Sequence, residues 1–132
     1  MGLLDRAAIE AAEDIPTKDV FVKEWGGSVR LRGLTGEQRD AYEASIVEMR
    51  GQTQRYKFEN MRARLVALCL IGDDGVRLFA DAAAVKALGG KAAKPLVMLF
   101  DEARHLSGLS EEDIEELAED FDDAQSDEAG SG

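Results

Sequence analysis

The stretch 19-DVFVKEWGGSVRLRGLTGEQRDAYE-43 decides the fold class. Val20, Val22, Val29 and Leu31 alternate with polar or aromatic residues, the period of two expected of strands with one buried face. Gly26-Gly27 lies between the two runs and suits a two-residue turn in which both residues take positive φ. That turn sets Val22 opposite Leu31 and Glu24 opposite Val29, on one face with Val20. Phe21, Lys23, Trp25, Arg30 and Arg32 take the other face. Lys23 then lies opposite Arg30, a like-charge pair that costs stability. Two strands alone are marginal in water, so the hairpin must pack on helices, on another strand or on a second subunit. Thr35-Gly36-Glu37-Gln38 follows with the form of a capping box: Thr35 is the N-cap and Gln38 stands three residues on.

Working outward, the spacing predicts helices over about 36–50, 56–71, 81–88, 92–107 and 110–121. Tyr42, Ile46 and Met49 recur at i, i+4, i+7 in the first, and Gly51 suits its end. In the second, Phe58, Met61, Leu65 and Leu68 form a stripe that Val66, Cys69 and Leu70 broaden, as expected of a central helix. Gly72-Asp73-Asp74-Gly75 reads as a turn. Asp81 suits an N-cap, Gly89-Gly90 a stop, and Pro95 a first helical turn. Leu96, Leu99, Phe100, Ala103 and Leu106 line the next helix, and Ser110 caps the last. Residues 1–18 read as a short helix or mobile arm, broken at Pro16. Residues 122–132 are acidic and core-free, and read as a disordered tail. The expected architecture is α+β and mostly α. An N-terminal β-hairpin over 19–33 packs on a small bundle of four to five helices within one domain, 19–121.

The 132 residues are 45% hydrophobic, enough for one core of ordinary size. Net charge is −11 and unevenly placed. Residues 1–100 hold 15 basic and 14 acidic side chains, whereas residues 101–132 hold 1 basic and 13 acidic. A block of that kind disfavours nucleic acid and anionic membrane as partners. Its ordinary role is as a solvated or interacting segment. The single cysteine, Cys69, excludes an internal disulfide, and in an apolar run it reads as a buried thiol. No signal-peptide core stands near the N-terminus, and the apolar run 65–71 is too short to span a bilayer, so a cytosolic setting is expected.

The inventory for catalysis is poor. His105 is the one histidine, on a helix with no serine or cysteine at a motif spacing, and reads as an ordinary helix residue rather than a general base. Asp73-Asp74-Gly75 lacks the alternating ligands and distal glutamate of a calcium loop. No glycine pair opens a phosphate loop. Neither a metal nor a cofactor is expected. The more informative polar surface is basic: Phe21, Lys23, Trp25, Arg30 and Arg32 on the hairpin, and Arg50, Arg55, Lys57, Arg62 and Arg64 near the start of the central helix. Basic side chains interleaved with aromatics bind single strands in other settings. With this charge balance, acidic partners fit better, including the acidic quarter of a neighbouring copy. Phe21, Lys23, Trp25, Arg30, Arg32, Met49, Phe58, Met61 and Arg62 are the candidate partner or self-association contacts, methionine suiting adaptable surfaces.

Three stretches carry a resemblance to a known family. They are Val20 through Asp40, with VFVKEWGGSVRLRGLTGEQRD; Arg64 through Phe79, with RLVALCLIGDDGVRLF; and Leu99 through Ser110, with its LSGL turn. In order and spacing, over about residues 15–120, the chain resembles the tail assembly chaperones of long-tailed, siphovirus-type bacteriophages, in their short form. The resemblance implies a non-enzymatic protein of the bacterial host cytoplasm, absent from the mature virion. Such a protein binds the tape measure protein, keeps it soluble and helps recruit tail tube subunits. Many members also occur in a longer frameshifted form. Three other readings compete: an acidic mimic of nucleic acid that inhibits a DNA-binding enzyme, another small phage-encoded adaptor, and a small enzyme, which would require a polar pocket.

Overall fold

The computed structural model describes residues 2–50, 53–56 and 60–109. The helix expected over 110–121, the tail 122–132 and the candidate contact Phe58 lie outside them. The elements in order are α1 (Arg6–Ala11), β1 (Thr17–Val22), β2 (Gly27–Arg32), α2 (Gly36–Ile46), β3 (Val47–Arg50), β4 (Thr53–Tyr56), α3 (Met61–Cys69), β5 (Leu70–Ile71), α4 (Ala82–Gly89) and α5 (Ala93–Leu106). The architecture is α+β and mostly helical. An antiparallel sheet of order β1-β2-β5 packs on α3 and α5, and β3 pairs with β4 in a separate two-stranded sheet.

The hairpin forms with a different register from the one predicted. Val22 pairs with Gly27, Val20 with Val29 and Asp19 with Arg30. The reason is the loop. Lys23–Trp25 form a turn of 3-10 helix, and Gly26 ends it in the left-handed region at φ 71°, so the loop takes four residues and Gly27 joins the strand. The slip changes each partner by four positions, an even number, which leaves the side chains that stay within β1 and β2 on their predicted faces. Val20, Val22 and Leu31 are buried, whereas Phe21 is 63% exposed. The expected Lys23–Arg30 clash does not occur. Instead Arg30 donates from Nε and Nη2 to the two carboxylate oxygens of Asp19, at 2.7 and 3.1 Å. Lys18, opposite Leu31, reaches Glu102 of α5 at 2.7 Å. A lysine so placed also makes the outer edge of β1 a poor template for further pairing.

The helix expected over 36–50 ends at Ile46, and Val47–Arg50 is a strand paired with Thr53–Tyr56. Helical spacing of apolar residues runs on through Met49, so periodicity alone carries the helix too far. The helix expected over 56–71 begins at Met61, because Asn60 sits at φ 55°, outside the helical region. It ends at Cys69, where Leu70 turns extended and pairs with Leu31.

Local hydrogen bonds place the other helix ends as predicted. Gln38 N donates to Thr35 Oγ1 at 3.1 Å and Thr35 N to Gln38 Oε1 at 3.0 Å, a reciprocal capping box. Asp81 Oδ1 accepts from Ala84 N at 2.7 Å. Thr35→Ala is expected to cost about 1 kcal/mol in urea denaturation, with Thr35→Ser close to the parent.

At the other end of α5, Gly108 at φ 71° closes a Schellman turn. Gly108 N donates to His105 O and Leu109 N to Arg104 O, and Leu109 drops into the core. This turn meets the exit of the hairpin. Gly33 N donates to Pro16 O at 2.9 Å, and Leu34 N donates to Ser107 Oγ at 3.1 Å. Arg77 locks the loop after β5 by donating to Ala67 O in the last turn of α3 and to Phe79 O. A cation on those carbonyls also meets the negative end of the helix dipole. The core fills the space between the inner sheet face (Val20, Val22, Leu31, Leu70), α3 (Leu65, Val66, Cys69) and α5 (Leu96, Leu99, Ala103). None of the residues of α1 is buried.

Candidate interaction surfaces

Two surfaces gather the candidate contacts. The first is the outer face of the sheet. Phe21 and Arg32 are exposed there, and the Asp19–Arg30 pair lies beside them. The Arg30 guanidinium holds the Asp19 carboxyl below its ordinary range by hydrogen bonding. A shallow groove of about 270 Å³ runs alongside, lined by Asp19, Ser28, Arg30, Ile71, Asp73 and Leu78 among others. Leu78 and Val76 are more than half exposed at its end, following the turn in which Gly75 takes φ 80° and Asp74 Oδ1 accepts from Val76 N. Lys23 is exposed in the loop. Trp25, expected on this face, instead lies half-buried against the core, because the 3-10 turn takes it out of the strand alternation.

The second surface is a cleft of about 220 Å³ where the start of α3 meets the end of α4 and the start of α5. Met61, Leu96 and Val97 supply its apolar wall, and Arg62 and Lys91 its charge. Arg62 also lies over the Phe100 ring, 5.7 Å from its centroid, a cation–π distance. Met61 packs partly on the core, and its carbonyl accepts the Tyr42 hydroxyl at 3.1 Å. Burial pushes the ionisation of that phenol upward. Of the basic residues expected to cluster here, Arg64 serves structure by donating to Ser45 O and Oγ across to α2. Met49 stands on β3, in the other sheet.

Sequence reasoning missed the rest of this cleft, Asn60, Gly89 and Lys91. A Cβ at Gly89 would come within 2.8 Å of Asn60 Oδ1, the far end of a side chain that can turn aside, and 3.6 Å from Ala63 Cβ, an ordinary contact.

His105 is exposed and Cys69 is buried. Among the described residues no group of three or more His, Cys, Asp or Glu side chains is placed to hold a metal ion. Also among them, no helix is long and apolar enough to cross a membrane. Burial pushes the Cys69 thiol up to about 11, although Ser107 Oγ at 3.7 Å opposes the shift. The folded state therefore holds its proton where the unfolded chain, with an ordinary value near 9, has lost it. Stability is expected to fall as pH rises from about 9 to about 11, by an amount on the order of 2 kcal/mol from this group. Urea denaturation across that window checks it, and Cys69→Ala removes the lower part of the slope.

Comparison with protein-family models, with curated proteins and with solved structures finds no match to this chain.

Proposed function

We propose that the protein is a non-enzymatic tail assembly chaperone of a long-tailed bacteriophage, acting in the host cytoplasm on the tape measure protein. The observation that carries this reading is the convergence of the three resembling stretches. The first forms β1, β2 and the start of α2; the second forms α3, β5 and the following turn; the third forms the second half of α5 and its Schellman turn. They meet where β2 pairs with β5, where α3 packs on α5, and where Ser107 Oγ accepts from Leu34 N and contacts Cys69 Sγ. The resemblance therefore falls on residues that pack as one unit, as a shared fold requires.

A client made of long apolar helices needs exposed apolar side chains beside polar ones on the chaperone. Phe21 on the sheet, Val76 and Leu78 in the loop after β5, and Val97 at the cleft have that character. Acidic residues concentrated after residue 100 would keep a crowded complex soluble. Recruitment of tail tube subunits and self-association belong to the same proposal.

The test is co-expression with the tape measure protein encoded by the same genome, followed by pull-down and sizing. A soluble complex with several copies of this chain per client supports the reading. An insoluble client and no complex would overturn it and favour a nucleic-acid mimic or another adaptor.

A further inference from the structure

We propose that residues 110–132 dock into the cleft between α3, α4 and α5 of their own chain. The cleft offers an apolar wall from Met61, Leu96 and Val97 with the cations Arg62 and Lys91, and no carboxylate is among its described lining residues. Several other described cations have acidic partners: Arg30 has Asp19, Lys18 has Glu102, Arg39 has Glu43 and Arg6 has Glu10. Among the described residues no carboxylate pairs with Arg62 or Lys91.

Residues 110–132 supply the matching chemistry. They hold 11 acidic and no basic side chains, with Ile114, Leu117 and Phe121 among them. Residues 1–109 hold 16 of each sign, so the segment carries the whole net charge of the chain.

Its starting point is fixed, because Leu109 is buried by the Schellman turn at the far end of α5. From there the cleft lies about one α5 length away, roughly 21 Å for its 14 residues. The 23 residues of the segment reach ~75 Å when extended, so the distance is easily spanned. Tethering gives an effective concentration in the millimolar range, which suffices for a contact of modest intrinsic affinity. A partner entering the cleft then has to displace the segment. The inference does not depend on the identity of the client.

Paramagnetic broadening on the full chain tests it. A nitroxide on Ser126→Cys leaves the buried Cys69 unlabelled. Amide signals of Met61–Ala63 and Lys91–Ala93 are expected to fall by roughly half or more, while those of the β1–β2 hairpin stay unchanged, given the tethered concentration. Raised salt and the charge reversals Lys91→Glu and Arg62→Glu are expected to restore the signals, since screening and repulsion both weaken the contact. Lys91 is exposed, so its reversal leaves the fold intact. Two results overturn the proposal: no selective broadening at the cleft, or broadening that arises only between labelled and unlabelled chains in a mixture.

Discussion

Gly33→Ala is expected to lower the unfolding free energy by about 3 kcal/mol, among the larger effects a single methyl group produces. The new Cβ would stand 2.5 Å from the carbonyl oxygen of Leu106 and 3.3 Å from Pro16 Cδ. The first neighbour is backbone at the end of α5, held by the Schellman turn, and it has no rotamer through which to yield. Relief requires β2 to move off α5, which strains the Gly33–Pro16 and Leu34–Ser107 hydrogen bonds together. Urea denaturation followed by circular dichroism reads the effect as a midpoint lower by about 1 M or more. Gly36→Ala is the control. A Cβ there meets nothing within 4 Å, and the residue opens α2, so helix propensity predicts no loss and a gain of up to about 1 kcal/mol. Equal losses at the two glycines would refute the close approach at Gly33.

Leu31→Ala is expected to cost about 2–5 kcal/mol. Leu31 is fully buried on the central strand, where β1, β5 and the helices all meet it. Its removal leaves a cavity bounded by secondary structure on every side, and such a site closes poorly. Phe21→Ala, on the same hairpin but the opposite face, is expected to change stability by no more than about 0.5 kcal/mol, since the ring is 63% exposed. In the proposed chaperone role, Phe21→Ala is instead expected to reduce the amount of client retained in pull-down. Similar stability losses for the two variants would mean that the sheet is covered on both faces.

The pair also shows which part of the hairpin was legible. Alternation of Val20, Val22, Val29 and Leu31 is a property of the side chains themselves, and it assigned the faces. Register depends on how many residues the loop consumes. Gly26-Gly27 offered an obvious two-residue turn, and nothing in the composition said that Lys23–Trp25 would coil first. Caps were legible because each is a hydrogen bond between near neighbours, as at Thr35 with Gln38 and Asp81 with Ala84. The end of α2 and the start of α3 were not legible. The pairing of β3 with β4 is not written in a helical period, and the left-handed Asn60 is one residue in an otherwise helical pattern. Of the candidate surface, Phe21, Arg32, Met61 and Arg62 stand where a partner can reach them or border the cleft. Trp25 does not, because its position followed from the assumed turn. Lys91 escaped notice because its surroundings join the α4–α5 junction to the start of α3, which is distant in sequence.

The sheet order has a consequence for how the chain folds. β2 has one partner close in sequence, with Val20 paired to Val29, and one much farther on, with Arg30 paired to Ile71. The local hairpin closes within about 1–10 μs, yet two strands do not persist alone. The distant pairing comes after α2, β3, β4 and α3, so its loop-closure entropy must be met before Leu31 and Leu70 reward it. The slow step is thus expected to be the arrival of α3 and β5 on a hairpin that forms and dissolves many times beforehand. Trp25, the single tryptophan, sits in the hairpin loop and packs partly on the core, so its fluorescence in stopped-flow refolding reports that arrival directly.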